Sequence, residues 1–475
     1  MIDTINNILY GLRADYALSF LNLMRDDIPI DIIEQSKRYY SLFTNEKYVR
    51  WLENEFNATT NPTLKRECRI LLNQFQLGKI EHNPEMSVLL DRYEVQSAKR
   101  IKLRSIIATS SNSKDFHEVH DKECELAMDI ANIAESIIEI RMKMAKEAGF
   151  NNYSEMYHTL NQSDYKKWEP FFSWALKMSK EDAKKRNEKV FSITGIENPW
   201  QALNKMQDML SSKLDHISPI STLAQTSRFL GLEEYFNKVR VINDPSSAWL
   251  NIVPLNPPSE IVIFMGNISK FDSIGALYHE FGHALSYMVP PQNYAFDYDP
   301  YLVESVSCIM DRFSNSEHWY NKYLPIEAQE RELFDLSSTN NMPDVVLDAS
   351  LSSLVSYKIY SGIRWDQANM QVRKEYGFAC DDKPDPGVFL SHEMVVPFFK
   401  LNYIMGLIFA KVVYRAAEAK YGDPYNKEFG KLLIGEFLKP GNSIAPRNRI
   451  WALLESLSFN GNLPGEFVEL VDSLI

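Results

Sequence analysis

His279-Glu280-Phe281-Gly282-His283 sets two histidines four residues apart, with a glutamate directly after the first. On a helix that spacing sends both imidazoles from one face toward a single point, where they can share a metal ion. Glu280 then lies on the neighbouring flank, placed to take a proton from a water that zinc has acidified to a pKa of roughly 7. These residue types in this order offer metal-assisted hydrolysis. Catalytic zinc takes three protein ligands and keeps one position open, so a third ligand must come from elsewhere in the chain. No histidine stands six residues beyond His283, and the next acidic cluster is Asp297, Asp299 and Glu304. Asp299-Pro300 reads as cap and first-turn proline of a helix over residues 301–311, from which Glu304 projects. His279, His283 and Glu304 are therefore the expected ligands of one Zn²⁺ per chain, with Asp297 and Asp299 left to cap and meet solvent.

Further positioning is expected from the same second helix, where Glu304, Ser307 and Asp311 recur at i, i+3 and i+7 and share a face. Ligating histidines commonly donate their other ring N–H to a carboxylate, and Asp311 is the candidate for that role. Upstream, Asp272 or Ser273 offers a cap for the histidine helix, and Ile274, Leu277, Phe281, Leu285 and Met288 follow at helical intervals until Pro290-Pro291. Gly282 inside that helix costs about 1 kcal/mol unless something must approach closely.

Helical periodicity dominates up to about residue 240, as in the segments 128–148 and 170–186. Short β-like runs occur only at 248–253 and 260–265, so a small sheet is expected beside the histidine helix. The reading is a mainly α protein, organised as an N-terminal helical part (1–240) and a metal-binding part (241–475). No internal repeat is present.

At this point the chain resembles the zinc peptidases of the oligoendopeptidase F and thimet oligopeptidase family, related to the angiotensin-converting enzyme and thermostable carboxypeptidase families. That family carries H-E-[FLM]-G-H, then E-x-x-S-x-x-x-[ED] on the next helix, which Glu304, Ser307 and Asp311 satisfy. The run from Arg141 to Tyr153 is similar to its R-x-x-x-A-x-x-x-G-[YF]-x-[ND]-[YF] segment. Ser246-Ser247-Ala248-Trp249 resembles the edge strand that lends backbone to substrate, which would give that role to Ser247 and Ala248. The resemblance spans roughly residues 130–475. It implies an almost wholly helical, two-lobed metallopeptidase with a deep substrate channel, Glu280 as general base, and peptides as substrates. It also implies a histidine and tyrosines that stabilise the transition state; here His392 and Tyr403 are the nearest equivalents. Two departures stand out: Glu304 follows His283 by only 21 residues, a shorter spacer than usual, and the tyrosine block is thin.

Composition agrees with a large enzyme: 475 residues at 45% hydrophobic content can bury an extensive core. Residues 394–414 come nearest to a membrane span, but Pro397, Lys400, Asn402 and Lys411 interrupt them. The start of the chain lacks a basic region followed by an apolar one, so a cytoplasmic location is expected. Four scattered cysteines without a C-x-x-C pair suggest neither disulfides nor a structural zinc site, and Cys308 is expected to be a small buried hydrophobe. A net charge of −12, from 51 basic and 63 acidic residues, disfavours nucleic acid and anionic membranes as partners. Oligomeric state is not readable.

The expected activity is hydrolysis of short peptides. Arg364 or Lys400 binding a terminal carboxylate would make it a carboxypeptidase or peptidyl-dipeptidase, and a dedicated processing peptidase is a further alternative. A catalytically idle peptide-binding relative is the alternative from another class, disfavoured because His279, Glu280, His283 and Glu304 are all present.

Overall fold

The computed structural model describes the chain except residues 27, 110–112, 197–198, 245–249, 267–269, 297–298, 300, 325–326, 338–341, 379–396, 460, 462 and 475. Helices make up almost all of its regular structure, and three strands form one small sheet. The chain divides into two compact units whose segments interleave along the sequence.

One unit comprises Met1–Ile2, Asp31–Phe172 and Leu351–Lys400. Its helices start on short polar caps: Asp31, Asn45 and Asn61 each accept a backbone N–H of the first turn. The segment from Arg141 to Tyr153 has a structural explanation here. Arg141 is fully buried, its Nε lies 3.0 Å from Glu81 Oε1, and the Tyr153 hydroxyl donates to the same oxygen at 2.7 Å. Between them Gly149 turns the chain at φ +89°, a conformation open to glycine. The arginine and tyrosine of that motif thus hold helices together.

The other unit comprises Asp3–Ile30, Ser173–Ser350 and Leu401–Ile475. Its sheet consists of β1 (Val239–Asn243), β2 (Leu250–Asn256) and β3 (Glu260–Met265), ordered β1-β3-β2. β1 runs parallel to β3, and β2 antiparallel with an irregularity between Pro254 and Asn256. The strand expected at 260–265 is present; that expected at 248–253 stands at Leu250–Asn256, with residues 248–249 outside those described; and β1 is a third that the pattern did not reveal, five residues at the end of a helical stretch, without alternating burial. The first helix, Ile2–Asp26, buries Ala17, Leu21 and Met24 against Val253, Val262 and Phe264 of the sheet. The histidine helix, Lys270–Met288, packs against both β2 and β3. It begins at Lys270, ahead of Asp272 and Ser273, so those two residues lie within its first turn. It ends just before Pro290-Pro291, as expected.

Candidate metal centre

Three helices build the site, and two glycines let them meet. The glutamate helix, Ser305–Ser314, lies against the histidine helix. A Cβ on Gly282 would come within 2.5 Å of Ser307 Cα and 2.7 Å of Val306 O, so only glycine permits this approach. The pairs His279–Asp311, Gly282–Ser307 and His283–Glu304 run in opposite directions along the two helices, which are therefore antiparallel. The tyrosine helix, Phe399–Tyr421, meets the glutamate helix at Gly406, where a Cβ would lie 2.8 Å from Glu304 O and 3.0 Å from Cys308 Sγ. On its far side the histidine helix is braced by Tyr278, whose hydroxyl lies 2.7 Å from that of Thr226 and accepts from Trp319 Nε1 at 3.2 Å.

One expectation is corrected. Residues 301–304 form a turn rather than the start of a helix, and Glu304 occupies the N-cap position with φ −87° and ψ −5°. The cause is local: Asp299 Oδ1 takes the Tyr301 N–H at 2.9 Å, and the Ser305 N–H bonds Leu302 O at 3.0 Å, so the chain turns before it coils.

His279, His283 and Glu304 converge, with one ligand-type atom from each lying within 4.8 Å of the others. His279 Nε2 is 3.2 Å from Glu304 Oε2, His283 Nε2 is 3.5 Å from it, and the two Nε2 atoms are 3.2 Å apart. His279 Nδ1 stands 2.8 Å from Asp311 Oδ2. In the tautomer whose Nδ1–H donates to Asp311, His279 turns its Nε2 lone pair toward the other two donors. Glu304 is buried to 3% exposure, and its Oε2 has no hydrogen-bond partner. Three donor atoms whose lone pairs face one point repel one another unless protons or a cation lie among them. The residues present therefore fit a divalent metal.

The charge balance points the same way. Burial alone would push the His279 imidazole down, but Asp311 and Glu304 hold it well above its ordinary value. Burial would raise Glu304, yet His283 and His279 bring it below the usual carboxylate range. Carboxylates in this pocket thus demand positive charge, which a metal supplies in place of protons.

Glu280, beside His279, is half-buried, and burial pushes its carboxyl up against the opposing pull of His283 and His279. Tyr403 lies at the centre too, its ring parallel to that of His279 at 7° with centroids 6.4 Å apart. Burial, then Glu304, raises its hydroxyl well above the ordinary value, so it stays protonated and able to donate. Tyr287 was not anticipated. It follows His283 by one turn, and burial, then the nearby Glu280, raises its hydroxyl as well. Its spacing, i+4 from His283 and i+7 from Glu280, is the signal that could have found it.

His392, Ser247, Ala248 and Asp297 lie outside the described residues. Asp299 caps the turn described above and stands 3.6 Å from the buried Arg449. Arg364 is exposed and bonded twice to Asp366, at 2.8 and 2.7 Å. Cys308 is buried, and burial raises its thiol well above the ordinary range. Among the described residues no helix is long and apolar enough to cross a membrane.

No protein-family model matches the chain, and no curated protein matches it in sequence. Solved structures do match in fold. The M32 carboxypeptidase of Deinococcus radiodurans superposes with a TM-score of 0.61 at 12% identity, over 99% of this chain and 99% of that one. A Pyrococcus furiosus carboxypeptidase gives 0.57 at 14% identity, over 99% and 97%. A chain assigned as an oligoendopeptidase F gives 0.56 at 14% identity, over 93% and 82%. This chain therefore has the fold of M32 carboxypeptidases and of an oligoendopeptidase F, the kind of fold that its motifs imply by resemblance.

Proposed function

We propose that this protein is a zinc-dependent peptidase acting on short peptides, with His279, His283 and Glu304 as the zinc ligands. The observation that carries this reading is the convergence of those three donors with Glu280 beside them. Two imidazoles and a carboxylate form a donor set that catalytic zinc takes, with a fourth position left for water. Bound there, zinc would polarise the scissile carbonyl and acidify the water.

The chain's own residues do the rest. Glu280 accepts the proton of the attacking water and returns it to the leaving amine, a double duty that its raised carboxyl pKa suits. Asp311 holds His279 in one tautomer and orientation. Tyr403, protonated at neutral pH, donates to the oxyanion that develops on the carbonyl, an interaction worth roughly 2.7 to 4 kcal/mol. β2 lies at an edge of the sheet, and among the described residues no strand pairs with its outer side. An extended peptide that added there would be held by main-chain hydrogen bonds irrespective of its sequence.

Two of the three structures named above are carboxypeptidases, which favours removal of residues from the C-terminal end as the mode of action. Elemental analysis of the purified chain, paired with mass spectrometry of a mixed peptide library with and without a chelator, tests both levels. About one zinc per chain with chelator-sensitive cuts is expected, and the cut positions distinguish terminal from internal action. Zinc without any cleavage would reject the peptidase reading, and failure to bind zinc would reject the ligand set.

A further inference from the structure

Of the three candidate ligands, Glu304 has the least regular backbone beneath it. His279 and His283 stand inside a helix, whereas Glu304 sits at the junction of a turn and the glutamate helix. Downstream its backbone is fixed: the Cys308 N–H donates to Glu304 O at 2.9 Å, and Gly406 packs against the same carbonyl. Upstream it depends on Asp299. The Asp299 carbonyl accepts the Leu302 N–H at 3.1 Å, and the Asp299 Oδ1 accepts the Tyr301 N–H at 2.9 Å.

Accepting an N–H needs no charge, and asparagine or serine would do it as well. What the carboxylate adds is a second anchor. Asp299 Oδ2 faces Arg449 Nη2 at 3.6 Å, and both side chains are only 8% exposed. Arg449 belongs to a different helix, Pro446–Ser456, and is itself fixed. Its Nη2 donates to Asn442 Oδ1 at 3.3 Å, and its guanidinium stands 5.7 Å from the centroid of the Phe437 ring. A buried ion pair adds little stability over apolar side chains of the same volume, so its use here lies in the arrangement that it holds. A cavity of about 40 Å³ lies beside the pair, lined by Ser286, Val303 and Val306 together with Asp299, Asn442 and Arg449. Packing alone thus leaves the turn room to shift, and the charged contact holds it.

We infer that Arg449 is a positioning residue for Glu304: by holding the Asp299 carboxylate, it fixes the turn that presents Glu304 to His279 and His283. The inference rests on the reading of Glu304 as a zinc ligand. Removing the guanidinium takes away the cation that faces the buried Asp299 charge, which favours turning that carboxylate toward water and releasing the Tyr301 N–H.

The test is zinc affinity, by competition with a chelator, together with the visible spectrum of the chain loaded with cobalt(II), which reports ligand geometry where zinc is silent. All variants are compared well below their melting temperatures, so that each is folded. Arg449→Met should weaken zinc binding about tenfold and shift the cobalt bands. Arg449→Lys, which keeps the charge, should recover most of both. Asp299→Asn can still accept the Tyr301 N–H but no longer offers Arg449 a charge. It should match Arg449→Met, and it decides the question if that variant does not fold. In the double variant the losses should not add, because both act through one contact. Unchanged affinity and spectrum alongside a lowered melting temperature would make the pair a brace of the fold and overturn the inference. So would additive losses, or a lysine variant as weak as the methionine one. A parent that binds no zinc would instead reject the ligand set itself, and the inference with it.

Discussion

Glu280 and Asp311 flank the same histidine but are asked for different things, and their substitutions should separate accordingly. Glu280→Gln keeps size and every ligand while removing the base. It should retain full metal content and lose kcat by about 100- to 10 000-fold, read by elemental analysis and peptide hydrolysis on one preparation. Unimpaired turnover would remove Glu280 from the proton transfers. Asp311→Asn keeps the shape but withdraws the charge that faces His279 Nδ1 at 2.8 Å. Metal affinity should fall about 10- to 100-fold in a competition titration with a chelator, and an unchanged affinity would mean that the contact does not tune the ligand.

At the scale of elements, glycine has opposite meanings in two helices. Gly282→Ala gains about 1 kcal/mol of helix propensity, but its methyl would meet Ser307 Cα at 2.5 Å, a backbone atom that cannot turn away. The helices must part, so a net loss of roughly 1 to 3 kcal/mol in denaturant unfolding is expected, together with weaker metal binding. Gly11, in the first helix, has nothing within 4 Å of the point where a Cβ would stand, and Gly11→Ala should stabilise by about 0.5 to 1 kcal/mol. If the two variants behaved alike, close approach would not explain Gly282. The glycine in H-E-F-G-H was visible in the sequence as a cost without a reason, and the reason is a neighbouring helix more than twenty residues away.

At the scale of the whole molecule, pH enters through a buried histidine that is no part of the candidate metal site. His158 is fully buried among Trp168, Tyr357 and Phe398, and burial pushes its imidazole from 6.5 down to about 3. Between those values the unfolded chain holds a proton that the folded chain refuses. Stability from this residue is therefore complete above about pH 6.5 and declines as pH falls toward 3, by at most about 1.4 kcal/mol per pH unit. His158→Phe should flatten the pH dependence of the unfolding free energy in that interval relative to the parent. Equal slopes for both would show that His158 takes up its proton without unfolding.

His279, Glu280 and His283 were legible from spacing alone because an α-helix has one period, and any chain that coils there must present them together. The helical character and the small sheet beside the histidine helix followed from the same local rules. Glu304 was found as a residue but placed wrongly, since Asp299 uses its side chain to hold a turn and leaves Glu304 at the cap. Tyr287 stands on the histidine helix and was open to the same rule of spacing. The β1 strand and the packing of the first helix on the sheet depend on contacts between segments far apart in the chain. Those contacts are set by which apolar faces and glycines fit against which others, a choice made by the folded whole and carried by no local pattern.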